Sequence, residues 1–200
     1  MGFRKYSYDN LVIHTSYIRS KAKSIVEEQR VLLDEAFSDF SGALAELEQQ
    51  PKSIERNVKM MLACKMFNHV YSGIILAESG LLADALLCER SALETIAFHW
   101  LICVEPSSAL EYESGKTLRP VEVRRRLESH GVDIENIRDL YSIGSEFAHV
   151  GRSGERLNCS LKSPTEGSLL FGGTSSPNDQ SELLNYLPRL LYLFSQPLMK

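Results

Sequence analysis

The chain has 200 residues, 44% of them hydrophobic, and a formal charge of -4 at pH 7. That is enough apolar material for one buried core and points to a single domain over residues 1–200. The acidic balance, with a sequence pI near 5.8, excludes a surface that coats nucleic acid generally, since such domains are strongly basic, and leaves room only for a local RNA site.

Cys64, Cys88, Cys103 and Cys159 show no C-x-x-C spacing, and the first three fall in apolar helical segments, so they are expected as reduced core residues. The stretch MGFRKYSYDNLVIH carries no signal-peptide apolar core, and the most apolar segment further on holds too many charges for a lipid-facing span. The expectation is a cytoplasmic protein with no membrane association.

From about Asp9 to Gln50, apolar residues recur at helical intervals and predict a long outer helix. Ser38, Ser41 and Gly42 mark a point where it can bend or stop and restart, and Pro51 ends it. The charge-rich portion Val26 to Glu35 reads as a solvated face. Ser53 can N-cap a second helix, with Arg56 at the third position in place of the Glu or Gln of a reciprocal capping box. The run from Met60 to Leu76 predicts a mostly buried helix closed by a left-handed Gly80, with His69 as a packing residue.

The third segment, Leu81 to Val104, is apolar on nearly every side yet carries Arg90 and Glu94 in its middle. At about 100° per residue those two lie about 40° apart, in a sector shared with Ala83, Leu87, Ala97 and Leu101. A charge inside an apolar face must be paired to be tolerated, so the segment is expected to be the central helix of a bundle, antiparallel to its predecessor. His99 falls about 180° around from Arg90, so His99 and Trp100 are expected to pack or to sit at a boundary.

Glu105 and Pro106 open a connection that can hold a short helix before Gly115. Pro120 starts the helix PVEVRRRLESH, closed by Gly131, with Arg124, Arg125 and Arg126 as its basic face and His130 where the helix dipole favours a cation. Asp133 caps a helix running to about Val150, flawed at Gly144, in which Tyr141, Ser145 and His149 recur every four residues.

After Gly151 the helical rhythm fails, and residues 151–180 are expected to form a loop or hairpin insertion with LNCSLK and SLLF as short strands. A last amphipathic helix starts at Asp179 or Ser181, and Pro188 predicts a kink in it. The fold class is therefore an all-α, up-and-down helical bundle with a long non-helical loop or small hairpin before the last helix.

Arg90 with Glu94 is either an ion pair that fixes helix register or an anion-binding guanidinium positioned by a carboxylate. Tyr141, Ser145 and His149 are either a hydrogen-bonded core network or a general base with orienting hydroxyls. There is no third acid in that stripe, no G-x-S-x-G and no Gly-rich phosphate loop followed by Lys, which argues against a Ser-His-Asp hydrolase and a P-loop enzyme. Glu146 and His149 have the i, i+3 spacing of carboxylate-bridged di-iron bundles, but a second such motif is missing, so no metal and no cofactor are expected.

The segment Ala83 to Val150 resembles an uncharacterised bacterial helical family of mobile elements and defence islands, through an Arg-x-x-x-Glu helix (Arg90, Glu94) followed by a Tyr-x-x-x-Ser-x-x-x-His helix (Tyr141, Ser145, His149). The resemblance implies a bundle similar to the HEPN class, many of whose members are metal-independent ribonucleases of toxin and antiphage systems. Those enzymes pair an Arg and a His a few residues apart, whereas Arg90 and His149 come from different helices; Arg124 or Arg125 with His130 fits the short spacing. The expected function is a HEPN-like endoribonuclease acting on RNA as a homo-oligomer, with Arg90, Glu94, Tyr141, Ser145 and His149 as its site. The competing expectation is a non-catalytic binding or regulatory bundle that receives a small anion or a partner.

Overall fold

A computed structural model of the chain describes residues 8–148, 159–163, 166–169 and 177–195. The described residues are predominantly helical: α1 (Tyr8–Gln49), α2 (Ile54–Glu78), α3 (Leu82–Val104), α4 (Ser107–Glu113), α5 (Pro120–Ser129), α6 (Glu135–Ala148) and α7 (Pro177–Ser195). Between α6 and α7 lies an antiparallel pair, β1 (Cys159–Ser163) and β2 (Glu166–Leu169), with Cys159 opposite Leu169 and an irregularity between Leu161 and Ser163. This is the hairpin expected of the segment after Gly151.

The helix boundaries follow local chemistry. α1 runs uninterrupted through Ser38, Ser41 and Gly42 instead of stopping there. The Ser41 hydroxyl donates back to the Phe37 carbonyl at 2.7 Å, and Phe40 and Leu47 bury on either side of the weak point, so packing offsets the glycine. Ser53 caps α2 by accepting from the Arg56 N–H at 3.0 Å. In place of a reciprocal carboxylate, the Arg56 side chain donates to the Leu47 and Glu48 carbonyls, satisfying the open end of α1.

Gly80, at φ 74°, closes α2 with the paired bonds Gly80 N–H to Ala77 O and Leu81 N–H to Leu76 O, and Gly131, at φ 76°, closes α5 in the same way. Pro120 stands at the first position of α5, and Asp133 accepts from the Glu135 N–H at the start of α6. α7 begins at Pro177, earlier than Asp179 or Ser181, because proline fits a first turn whose N–H groups have no partner within the helix.

α1 and α2 are antiparallel: Arg19 near the start of α1 pairs with Glu78 at the end of α2 at 3.1 Å, while Arg56 clasps the other end. α3 returns antiparallel to α2 after the Gly80 turn, in the most extensive helix pairing of the fold. α7 then runs the same way as α3. Its Gln180 side chain donates to the Ala77 carbonyl at 3.0 Å, and its Phe194 meets Phe40 and stacks on His99 with ring centroids 4.0 Å apart. Up-and-down alternation therefore holds for the first three helices and breaks at the last, because the chain crosses back along α4 to α6 and the hairpin before α7.

The core joins α1, α2, α3 and α7, with Leu93, Ile96, Leu101, Leu184, Leu187 and Leu190 fully buried. α2 is less enclosed than its composition suggests, since Met61, Phe67 and Tyr71 are exposed. By length and composition α2 is the one described helix able to cross a membrane, yet Val58, Met66 and Val70 are buried in this core.

Candidate functional site

α3 places Arg90 and Glu94 one turn apart, and Arg90 Nε donates to Glu94 Oε1 at 3.3 Å. Neither is deeply buried: their side chains keep 24% and 34% of their surface. The sector expected to be an enclosed apolar face is open at Leu87, which is also exposed, and is closed at Ala97 and Leu101. The buried charge of α3 is instead Glu89, 3% exposed, with no hydrogen-bond partner among the described residues. Burial pushes its carboxyl up to about 7. Glu89 stands one step before Arg90, which along a helix turns it by about 100°, out of the sector that Arg90 and Glu94 share.

α6 brings Tyr141 to the same place. Arg90 Nη2 donates to the Tyr141 hydroxyl at 2.8 Å, and the guanidinium carbon stands 4.9 Å from the ring centroid. The expected junction of the two helices is therefore present at Arg90, Glu94 and Tyr141. Ser145 belongs to α6 by its backbone, but its side chain lies outside the described residues, as do the Glu146 side chain and all of His149.

α5 supplies a residue that sequence reasoning did not assign to the site. The Arg124 guanidinium lies 4.3 Å from the Tyr141 ring centroid, so two cations share one aromatic ring. The signal was the run Arg124 to Arg126, read as one basic face; consecutive residues fan out by about 100° each and cannot share a face.

Arg125 is exposed. Arg126 turns inward, gripping Glu105 through Nε and Nη2, Glu111 through Nη1 at 2.9 Å and the buried Ser108 hydroxyl at 2.9 Å. His130 joins this network through Glu105 at 3.1 Å. The Arg126 hydrogen bonds hold the Glu105 carboxyl below the usual range. His130 is thus engaged with Glu105 and Arg124 with Tyr141.

Glu94 also lines an open cavity of about 610 Å³, whose other walls include Lys65 on α2, Phe98 on α3, Tyr112 on α4 and Lys116 in the α4–α5 connection. Lys65 and Arg124 have no carboxylate partner among the described residues, while Lys116 pairs with Glu111 at 3.0 Å. On α2, His69 keeps Nε2 buried without a partner among the described residues; burial, helped by Lys65, lowers its pKa below 6.5, with Glu94 opposing.

His99 is a packing residue as expected, its pKa driven by burial down to about 3. Cys64 and Cys103 are free but exposed and Cys88 is half-buried, correcting their assignment to the core.

Chemically, the cluster is a guanidinium held in a fixed pose by one carboxylate and one phenol, with a second guanidinium across the ring. Its Glu94 edge opens on a cavity bearing two ammonium groups. In a chain of net charge -4 this is a local concentration of positive charge suited to an anion. The chain matches none of the protein-family models, curated proteins or solved structures with which it was compared.

Proposed function

We propose that the protein is a HEPN-like helical bundle that engages RNA phosphate at the Arg90, Glu94, Tyr141 and Arg124 cluster and cleaves the RNA without a metal, as an endoribonuclease of a toxin or phage-defence type. The observation that supports this reading is the sharing of the Tyr141 ring by two guanidinium groups beside an open cavity. Planar guanidinium forks match phosphate oxygens, and a guanidinium already oriented needs no rearrangement as charge grows on the phosphate.

In this scheme His149 takes the proton of the ribose 2'-hydroxyl as its oxygen attacks the phosphorus to close a 2',3'-cyclic phosphate, and delivers that proton to the departing 5'-oxygen, while Arg90 stabilises the charge on the phosphate and Tyr141 and Ser145 act as orienting groups. The same reading makes the protein cytoplasmic and self-associating through an outer helix such as α1, which exposes Val12, Ile13, Tyr17 and Val31. The test is cleavage of single-stranded RNA by purified protein: His149→Ala retains the circular dichroism of the parent and loses cleavage. Undiminished cleavage by His149→Ala removes His149 from the reaction and with it the mechanism stated here; no cleavage by the parent removes the enzyme reading altogether.

A second reading, a non-catalytic module that receives a small anion, is favoured by the engagement of Arg90 with both Glu94 and Tyr141, the pattern of a structural ion pair. Thermal stabilisation by inorganic phosphate or nucleotides that is lost in Arg90→Ala, in the absence of cleavage, selects it.

A further inference from the structure

We infer that the cavity beside the Arg90 cluster is a base-reading pocket, which seats one unstacked, amino-bearing nucleobase of the RNA against Tyr112, with its amino group on Glu94 and an adjoining phosphate on Lys65. The inference rests on the RNA reading above and adds where the substrate's sequence is sensed. At about 610 Å³ the cavity falls within the roughly 300 to 1,000 Å³ of pockets that enclose small organic ligands.

Its walls divide by chemistry. Leu62, Phe98, Leu118 and Val123 are apolar; Lys65 and Glu94 are polar; Tyr112 stands between. Tyr112 is 40% exposed and leans on the buried Phe98 with ring centroids 5.3 Å apart, so the inner ring fixes the outer one while leaving part of it uncovered. An anchored, accessible tyrosine is a stacking platform for a base, and stacking alone does not choose among bases.

The choice falls to Glu94. Its Oε1 accepts from Arg90, while Oε2 has no partner among the described residues. A free carboxylate oxygen accepts from the exocyclic amine of cytosine, adenine or guanine. Uracil presents a carbonyl oxygen where cytosine carries its amine and meets the carboxylate with like polarity. Lys65, lacking a carboxylate partner, supplies the cation for the phosphate. An acidic peptide would satisfy Lys65 but has no flat ring for Tyr112 and would bring its own carboxylates against Glu94.

The test is calorimetric titration of the full chain with cytidine monophosphate, uridine monophosphate and inorganic phosphate. Cytidine monophosphate is expected to bind roughly tenfold or more tightly than uridine monophosphate, and Glu94→Gln to reduce that preference. Tyr112→Ala is expected to weaken both nucleotides roughly tenfold, with Tyr112→Phe restoring them. Equal affinity for the two nucleotides, phosphate binding as tightly as either, or Tyr112→Ala binding like the parent each overturns the pocket.

Assaying RNA cleavage by the parent chain beside these titrations separates the two proposals. Base preference in a protein that cleaves no RNA keeps the pocket and sinks the ribonuclease. RNA cleavage that is indifferent both to Tyr112→Ala and to cytosine against uracil keeps the ribonuclease and sinks the pocket.

Discussion

Replacing Glu89 by Gln tests the cost of a carboxyl buried on α3. Glu89 is 3% exposed on α3, has no hydrogen-bond partner among the described residues, and faces the Tyr186 phenol, whose hydroxyl is also buried without a partner. Burial raises its pKa from 4.5 to about 7. The folded state therefore holds a proton that the unfolded chain has released, and between those two values stability falls as pH rises.

Each pH unit across that window is worth about 1.4 kcal/mol, so roughly 3 kcal/mol present below pH 4.5 is gone above pH 7. Glutamine has nearly the same shape and no charge to lose. Glu89→Gln should thus match the parent below pH 4.5 and exceed it at pH 8 by about 3 kcal/mol, or roughly 6 to 12 °C in melting temperature for a domain of this size. His99 titrates in the opposite sense: its pKa drops from 6.5 to about 3, so the stability tied to its neutral form is lost as pH falls through that range. It does so in both proteins and cancels in the difference. Urea denaturation at several pH values measures the effect, and parallel stability profiles for parent and variant would refute the reasoning.

Four further substitutions probe packing and the cluster. A Cβ at Gly73 would stand 3.1 Å from Leu187 Cδ2 and 3.3 Å from the Cys88 Cβ, where α2, α3 and α7 meet, whereas one at the exposed Gly42 meets nothing within 4 Å. Gly73→Ala should destabilise by about 1 kcal/mol as crowding exceeds the helix-propensity gain, and Gly42→Ala should stabilise by up to about 1 kcal/mol; equal shifts in urea midpoint would contradict this. Tyr141→Phe removes the bond from Arg90 and should cost about 1 kcal/mol. Tyr141→Leu also removes the ring beneath both guanidinium groups and should cost about 1 kcal/mol more. Identical losses in the two variants would show that the ring contacts contribute nothing.

Where the sequence was legible, a residue's role depended on its own few neighbours. Ser53, Gly80, Pro120, Gly131 and Asp133 each act on backbone groups within five residues, and each stands where its chemistry required. The meeting of Arg90 with Tyr141 was also foreseeable, since a charge on so apolar a helix demands a polar partner. Less legible was the degree of enclosure. Periodicity tells which residues share a face, but the number of helices packed on that face decides whether Arg90 is sealed or Met61, Cys64 and Tyr71 are left bare. Arg124 escaped notice for a related reason: three identical side chains in succession carry no sign of their separate directions, which α6 and the Glu105 to Glu111 carboxylates determine from outside. The direction of α7 was unreadable from pattern, because reversing a helix leaves its apolar stripe unchanged.

That last helix has a consequence for biosynthesis. Leu184, Leu187, Leu190 and Leu191 complete the packing of three helices translated more than seventy residues earlier. Until the ribosome releases them, the nascent polypeptide carries an uncovered groove along its first half. A product stopped before α7 should therefore be insoluble and chaperone-bound, because its first three helices keep an apolar face in water.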